Sequence, residues 1–144
     1  MTASSFELTR RYFNVEEANA RLPLVRVIIK DIVDLSHSLR ERHDRLFAEF
    51  EASGEAGEID ITPLEEDRDR LENFVEELHK LGAELKDYFI GLVDFPGWVE
   101  DREVCLCWKL GEGNIEFWHE TDTGFRGRKK INGEFRLKCS QPRE

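Results

Sequence analysis

The stretch Ile115–Arg128, "IEFWHETDTGFRGR", holds His119, Glu120 and Asp122 within four positions, and two glycines and two arginines follow. An imidazole beside carboxylates can hold a divalent metal or move a proton near neutral pH. The guanidinium groups of Arg126 and Arg128 can clamp a carboxylate or a phosphate. Asp94, in "GLVDFP", is the further acid that would join His119, in one strand register only. Elsewhere "CLC" places Cys105 and Cys107 on one face of a strand. The pair could hold a soft metal together with Cys139, but the spacing is not the Cys-x-x-Cys knuckle of a structural zinc site, and small buried hydrophobes are the favoured reading of the thiols. No P-loop, dinucleotide fingerprint, nucleophile motif or zinc-protease helix is present.

A sheet must carry these groups. After Gly82 the hydrophobic period changes from helical to alternating. "AELK", "GLVDFPGW", "REVCLCWKL" and "NIEFWHE" read as an antiparallel meander of three or four strands. In "EVCLCWKL", Val104, Leu106, Trp108 and Leu110 share one face, while Glu103, Cys105, Cys107 and Lys109 share the other. A tight "GEGN" turn would pair Leu110 with Ile115, Trp108 with Phe117 and Leu106 with His119. His119 then lies at the far end of the apolar face.

Before Gly82 the chain is helical. Asn14 and Glu17 have the spacing of a capping box. Pro23 predicts that a short helix ends near Arg21 and that a longer one starts or kinks there. Val25, Ile28, Ile32, Leu35, Leu39, His43, Leu46 and Phe50 recur at steps of three and four. A helix from Pro23 to Phe50 would span roughly 40 Å. "EASGEAGEID" breaks the pattern. Thr62 as cap, Pro63 at the first helical position and Glu65 then open a third helix, with a stripe of Leu64, Leu71, Phe74, Val75, Leu78 and Leu81. The two long helices predict an antiparallel helical hairpin over about 14–82, with a sheet over about 83–121 and a Gly/Arg loop and basic tail over 122–144. The fold class is a single α+β domain. Ile29, Phe47 and Phe74 lie off the hairpin seam, and pairing two hairpins in a homodimer is the expected cover. His37, His43 and His79 show no metal-ligand spacing.

Bulk composition limits the partners. The 144 residues carry a net charge of −10. From Gly124 onward seven Lys or Arg face two acids, a balance of +5, which leaves −15 on the first 123 residues. An acidic body repels phosphate backbones, so nucleic acid is not an expected partner. No apolar run has the length of a membrane span or signal peptide, and three cysteines read as free thiols; the expected location is cytoplasmic.

Taken in order, "YFNVEEANARLPLV", "GLVDFP", "LCWKLGEG" and "IEFWHETDTGFRGR" resemble a prokaryotic family, the domain of unknown function 2203, over roughly residues 11–131. The pattern matches at Glu17, Asn19, Pro23, Asp94, Pro96, Cys107, Trp108, Gly111, Glu112, Trp118, His119, Gly124, Gly127 and Arg128, among others; Cys105 and Arg126 fall at looser positions. Some members carry automatic labels such as division initiation protein. What the resemblance implies is that Asp94, His119 and Arg128, polar groups from separate blocks, share a site. The expected ligand contacts are His119, Asp94, Arg128 and Trp118. The expected metal ligands are His119, Asp94, Glu120 and Asp122, for a divalent ion, with Arg128 meeting a small anion. The competing expectation is a non-enzymatic interaction module built on the acidic hairpin.

Overall fold

The computed structural model describes residues 11–53 and 59–142. Residues 1–10, the interhelical glycines Gly54 and Gly57, and Arg143 and Glu144 of the basic tail lie outside the described residues.

Helix α1, Val15–Ser53, is unbroken, so the restart expected at Pro23 does not occur. Proline removes one helical hydrogen bond, but burial on both sides of it holds the axis. Val15, Ala18, Leu22, Val25, Ile29, Ile32 and Ser36 alternate steps of three and four, and all are buried. At about 1.5 Å per residue the helix is about 58 Å long. Its start follows the capping-box expectation: the Glu17 N–H donates to Asn14 Oδ1 at 2.7 Å, and the Asn14 N–H donates to Glu17 Oε1 at 3.0 Å.

Helix α2 spans Thr62–Lys80. The cap expected from Thr62 is absent: Ile61 holds that position without a side-chain hydrogen bond, while Asp60 Oδ1 accepts from the Thr62 N–H. The helix stops at Gly82, whose φ is +93°. The Ala83 N–H reaches Leu78 O and the Gly82 N–H reaches His79 O, a Schellman closure in which buried Leu78 and Ala83 meet. The two helices pack together, and Arg42 of α1 pairs with Asp67 of α2.

The sheet has six antiparallel strands rather than three or four: β1 Glu84–Asp87, β2 Leu92–Val99, β3 Arg102–Lys109, β4 Phe117–Glu120, β5 Lys129–Lys130 and β6 Cys139–Ser140. The order is β1-β2-β3-β4-β5, and β6 pairs with β2. The two extra strands lie in the segment read as loop and tail. That tail also forms helix α3, Gly133–Lys138, capped by Asn132 Oδ1. Phe135 of α3 is buried and stacks on Trp118 at 4.6 Å, and this burial orders a segment that has no periodicity of its own.

One face of the sheet packs on α1. Val93, Phe95, Val104, Leu106 and Trp108 are buried there with the α1 strip, and Phe13 meets Phe95 edge-on at 5.3 Å. Ile29 is therefore covered by the sheet, and Phe74 packs half-buried on the same core. Phe47 stays 57% exposed. Among the described residues no helix is long and apolar enough to cross a membrane. The architecture is α+β: one long helix, a second helix and an antiparallel sheet.

Candidate metal centre

The opposite face of the sheet carries the polar cluster. Asp94 pairs with Cys107 across β2 and β3, and Cys107 pairs with Phe117 across β3 and β4. His119 sits opposite Cys105, and Leu106 opposite Trp118. The expected register, Leu106 with His119, is off by one residue, and a slip of one moves every side chain to the other face. The cause is the β3–β4 connection, which does not close as a tight turn. Ile115 leaves the ladder to fill the core, and its N–H donates to Asn19 Oδ1 on α1 at 2.7 Å. Glu112 Oε1 accepts from the Lys109 N–H at 2.8 Å and closes the end of β3. His119 therefore leaves the apolar face expected for it and joins Cys105, Cys107 and Asp94.

Side chains that meet on that face form one cluster. Asp94 and His119 are each 3% exposed, and Cys107 is 1% exposed. The ligand atoms of all three lie within 4.8 Å of one another, the group among the described residues with metal-binding proximity. His119 Nε2 is 3.1 Å from both carboxylate oxygens of Asp94, and Nδ1 is 2.7 Å from the Glu120 carbonyl oxygen. A carbonyl oxygen only accepts, so Nδ1 carries a hydrogen and donates it. That bond orients the ring and leaves Nε2 as the atom facing Asp94. A backbone carbonyl fixing one nitrogen while the other faces the ligand site is the arrangement usual for metal-bound histidine.

Burial pushes the Cys107 thiol up to about 12, and the charge of Asp94 adds to the effect; Arg128 opposes both. Cys105, beside the cluster, is also pushed up to about 12 by burial first and then by Asp94. Neither is a reactive thiol near neutral pH.

Arg128 closes the edge of the cluster. Its guanidinium lies 3.9 Å from the Phe117 ring centroid, 4.6 Å from that of Phe125 and 3.9 Å from Cys107 Sγ. Two parallel bonds, at 3.1 and 2.7 Å, tie it to Glu112. Burial resists ionisation of Glu112, but Arg128 and the Lys109 N–H outweigh it and hold the carboxyl below its usual range. Gly124 at φ +64° turns the chain into the short 3-10 turn Phe125–Gly127 that delivers Phe125 and Arg128. Gly127 lies so close to Thr123 that an added Cβ would sit 2.4 Å from its side chain.

Of the other expected site residues, Glu120 lies opposite Val104, on the helix side of the sheet. Arg102 occupies its two carboxylate oxygens at 2.8 and 2.9 Å and lowers its ionisation range. Asp122 is exposed in the turn after β4. Trp118 faces Phe135 rather than the cluster. Arg128 is near the cluster, already paired with Glu112. The residues that sequence reasoning passed over are Cys107, read as a plain buried hydrophobe, and Glu112. The shared face of Cys105 and Cys107 was legible, but only the observed register brings His119 to it.

A family model described as "Uncharacterized conserved protein (DUF2203)" matches residues 11–131. The chain belongs to this family. The DUF2203 match contains α1, α2, the strands β1 to β5 and every member of the Asp94–Cys107–His119 cluster. No curated protein and no solved structure matches the chain.

Proposed function

We propose that this protein binds a divalent transition metal, zinc before others, through Asp94, Cys107 and His119. The observation that carries the reading is the approach of a carboxylate, a thiol and an oriented imidazole to within 4.8 Å in a buried site. Mixed O, N and S donors suit zinc, a borderline-soft ion. Bonds of about 2.0–2.3 Å to a tetrahedral ion separate neighbouring ligand atoms by about 3.4–3.8 Å. Side-chain rotation of about 1 Å therefore converts the cluster into a coordination set. Three protein ligands leave a fourth position for water or a small ligand, and Arg128 beside Cys107 Sγ favours the thiolate that the metal needs.

Cobalt titration under anaerobic conditions tests it. A thiolate-to-cobalt charge-transfer band is expected in the wild type and absent in Cys107→Ser; no band in the wild type would sink the reading.

A second reading is supported by the exposure of Phe47 at 57% and of Phe50 at 41%, three positions apart near the end of α1. A helical hairpin of α1 and α2 would bury part of that surface against a second copy, in a homodimer. Sedimentation equilibrium on the wild type and Phe47→Glu distinguishes a dimer through this surface from a monomer.

A further inference from the structure

A cavity of about 410 Å³ lies between α1, α2 and the β1–β2 connection, and it shares no residue with the Asp94 cluster. Leu39 of α1, Leu64 and Leu71 of α2, and Phe89 of the connection line it. Each is only half-buried, so the wall is apolar surface left partly uncovered among the described residues. Its size falls within the range of small-molecule sites, about 300–1,000 Å³, and apolar walls with a few polar groups are usual for them.

Three further observations give it polarity and shape. Ser36, 4% exposed, lines the cavity, and its hydroxyl oxygen has no hydrogen-bond partner among the described residues. A buried hydroxyl without a partner is rare and points to one supplied from outside the chain. Arg40 and Arg68 stand at the mouth against one acid, Glu65, on a chain that is otherwise strongly acidic. Arg40 is held in place by the Phe89 ring, 4.6 Å from its centroid. The connection itself is pinned: His37 Nε2 contacts the Phe89 carbonyl oxygen at 3.0 Å, and Asp87 Oδ1 accepts from the Phe89 and Ile90 N–H groups. The cavity is thus already formed.

We infer that this cavity is a second binding site, for an amphipathic carboxylate whose apolar chain lies among Leu39, Leu64, Leu71 and Phe89 and whose head meets Arg40 and Arg68. The Ser36 hydroxyl donates to a polar atom of the bound molecule. The guanidinium groups set the sign of the head group, and the leucines set its apolar tail.

Decanoate is the probe, titrated calorimetrically below its micellar concentration, with decanol, kept below its solubility limit, as the neutral counterpart. Decanoate is expected to bind one-to-one and more tightly than decanol. Arg40→Gln/Arg68→Gln, both at exposed positions, is expected to weaken decanoate about tenfold and leave decanol within about twofold. Leu39→Trp, which places an indole in the apolar part of the cavity, is expected to weaken both. Circular dichroism on each variant checks that the helices persist, and Leu64→Phe replaces Leu39→Trp if that variant unfolds. Absence of decanoate binding, equal affinity for decanol, or indifference to the arginine substitutions would each overturn the inference. So would a concentration-dependent dimer that excludes decanoate, because a second copy would then be the occupant.

Discussion

Asp94→Ala is the perturbation whose size follows most directly from the geometry. The side chains of Asp94 and His119 are 5% and 4% exposed, so solvent cannot replace either partner. Nδ1 spends its hydrogen on the Glu120 carbonyl, so the contact of Nε2 with the Asp94 carboxylate is a hydrogen bond through one further proton held between them, and removing the carboxylate strands Nε2. A hydrogen bond to a charged group contributes about 1.5–3 kcal/mol. Breaking a buried pair from one side costs about 3–5 kcal/mol. We expect a loss of about 3 kcal/mol, or about 6–12 °C in Tm for a chain of this size. His119→Ala should cost a similar amount. The double variant should cost less than the two together by about 2 kcal/mol, because the second substitution removes a group that the first left stranded. Urea unfolding in the presence of chelator measures this, with the midpoint falling at constant slope. Additivity within about 0.5 kcal/mol would refute the claim that the two side chains form an energetic unit. Repeated with zinc at a hundredfold excess over its dissociation constant, the wild type should gain about 2.7 kcal/mol and neither single variant should gain.

Three further outcomes are expected. Zinc must displace the Cys107 proton, and that thiol, pushed up to about 12, is protonated throughout the neutral range. Affinity should therefore fall at least about tenfold for each unit of acidification, which competition with a chelator across pH 6 to 8 would measure. Arg128→Ala should cost about 1.5–3 kcal/mol. The folded carboxyl of Glu112 is depressed, so its contribution is present above the unfolded value and lost as pH falls through the folded one. Part of the acid-side loss of stability in the wild type should accordingly be missing from this variant in urea melts at pH 3 to 7. Gly82→Ala combines φ +93° with a Cβ 2.3 Å from the Phe13 ring and should lower stability by about 2–4 kcal/mol, read by thermal melting.

The elements that local chemistry determines were legible in the residues. The Asn14–Glu17 box opens α1, and Gly82 closes α2, because each is a short-range hydrogen-bond device. The four main strands follow from alternation. Long-range packing decided the rest. Pro23 sits inside α1 because the buried strip on either side outweighs one lost bond. Phe135 anchors α3 by stacking on Trp118, a partner 17 positions earlier. Of the candidate cluster, Asp94 and His119 were legible as residues that one register would bring together, but their meeting with Cys107 was not. That depended on Ile115 leaving the ladder for the core and on Asn19 of α1 holding its N–H, contacts that alternation within one strand does not reveal. Glu120 and Asp122 looked equivalent to Asp94 as acids near an imidazole, yet the pleat turns Glu120 toward Arg102 and the turn leaves Asp122 in solvent.

X-ray absorption at the zinc edge, on protein loaded with one equivalent, tests the central claim most directly. One sulfur at about 2.3 Å and nitrogen or oxygen neighbours at about 2.0–2.2 Å are expected, with the sulfur shell lost in Cys107→Ser. A spectrum with no sulfur neighbour in the wild type, or one unchanged by Cys107→Ser, would contradict it.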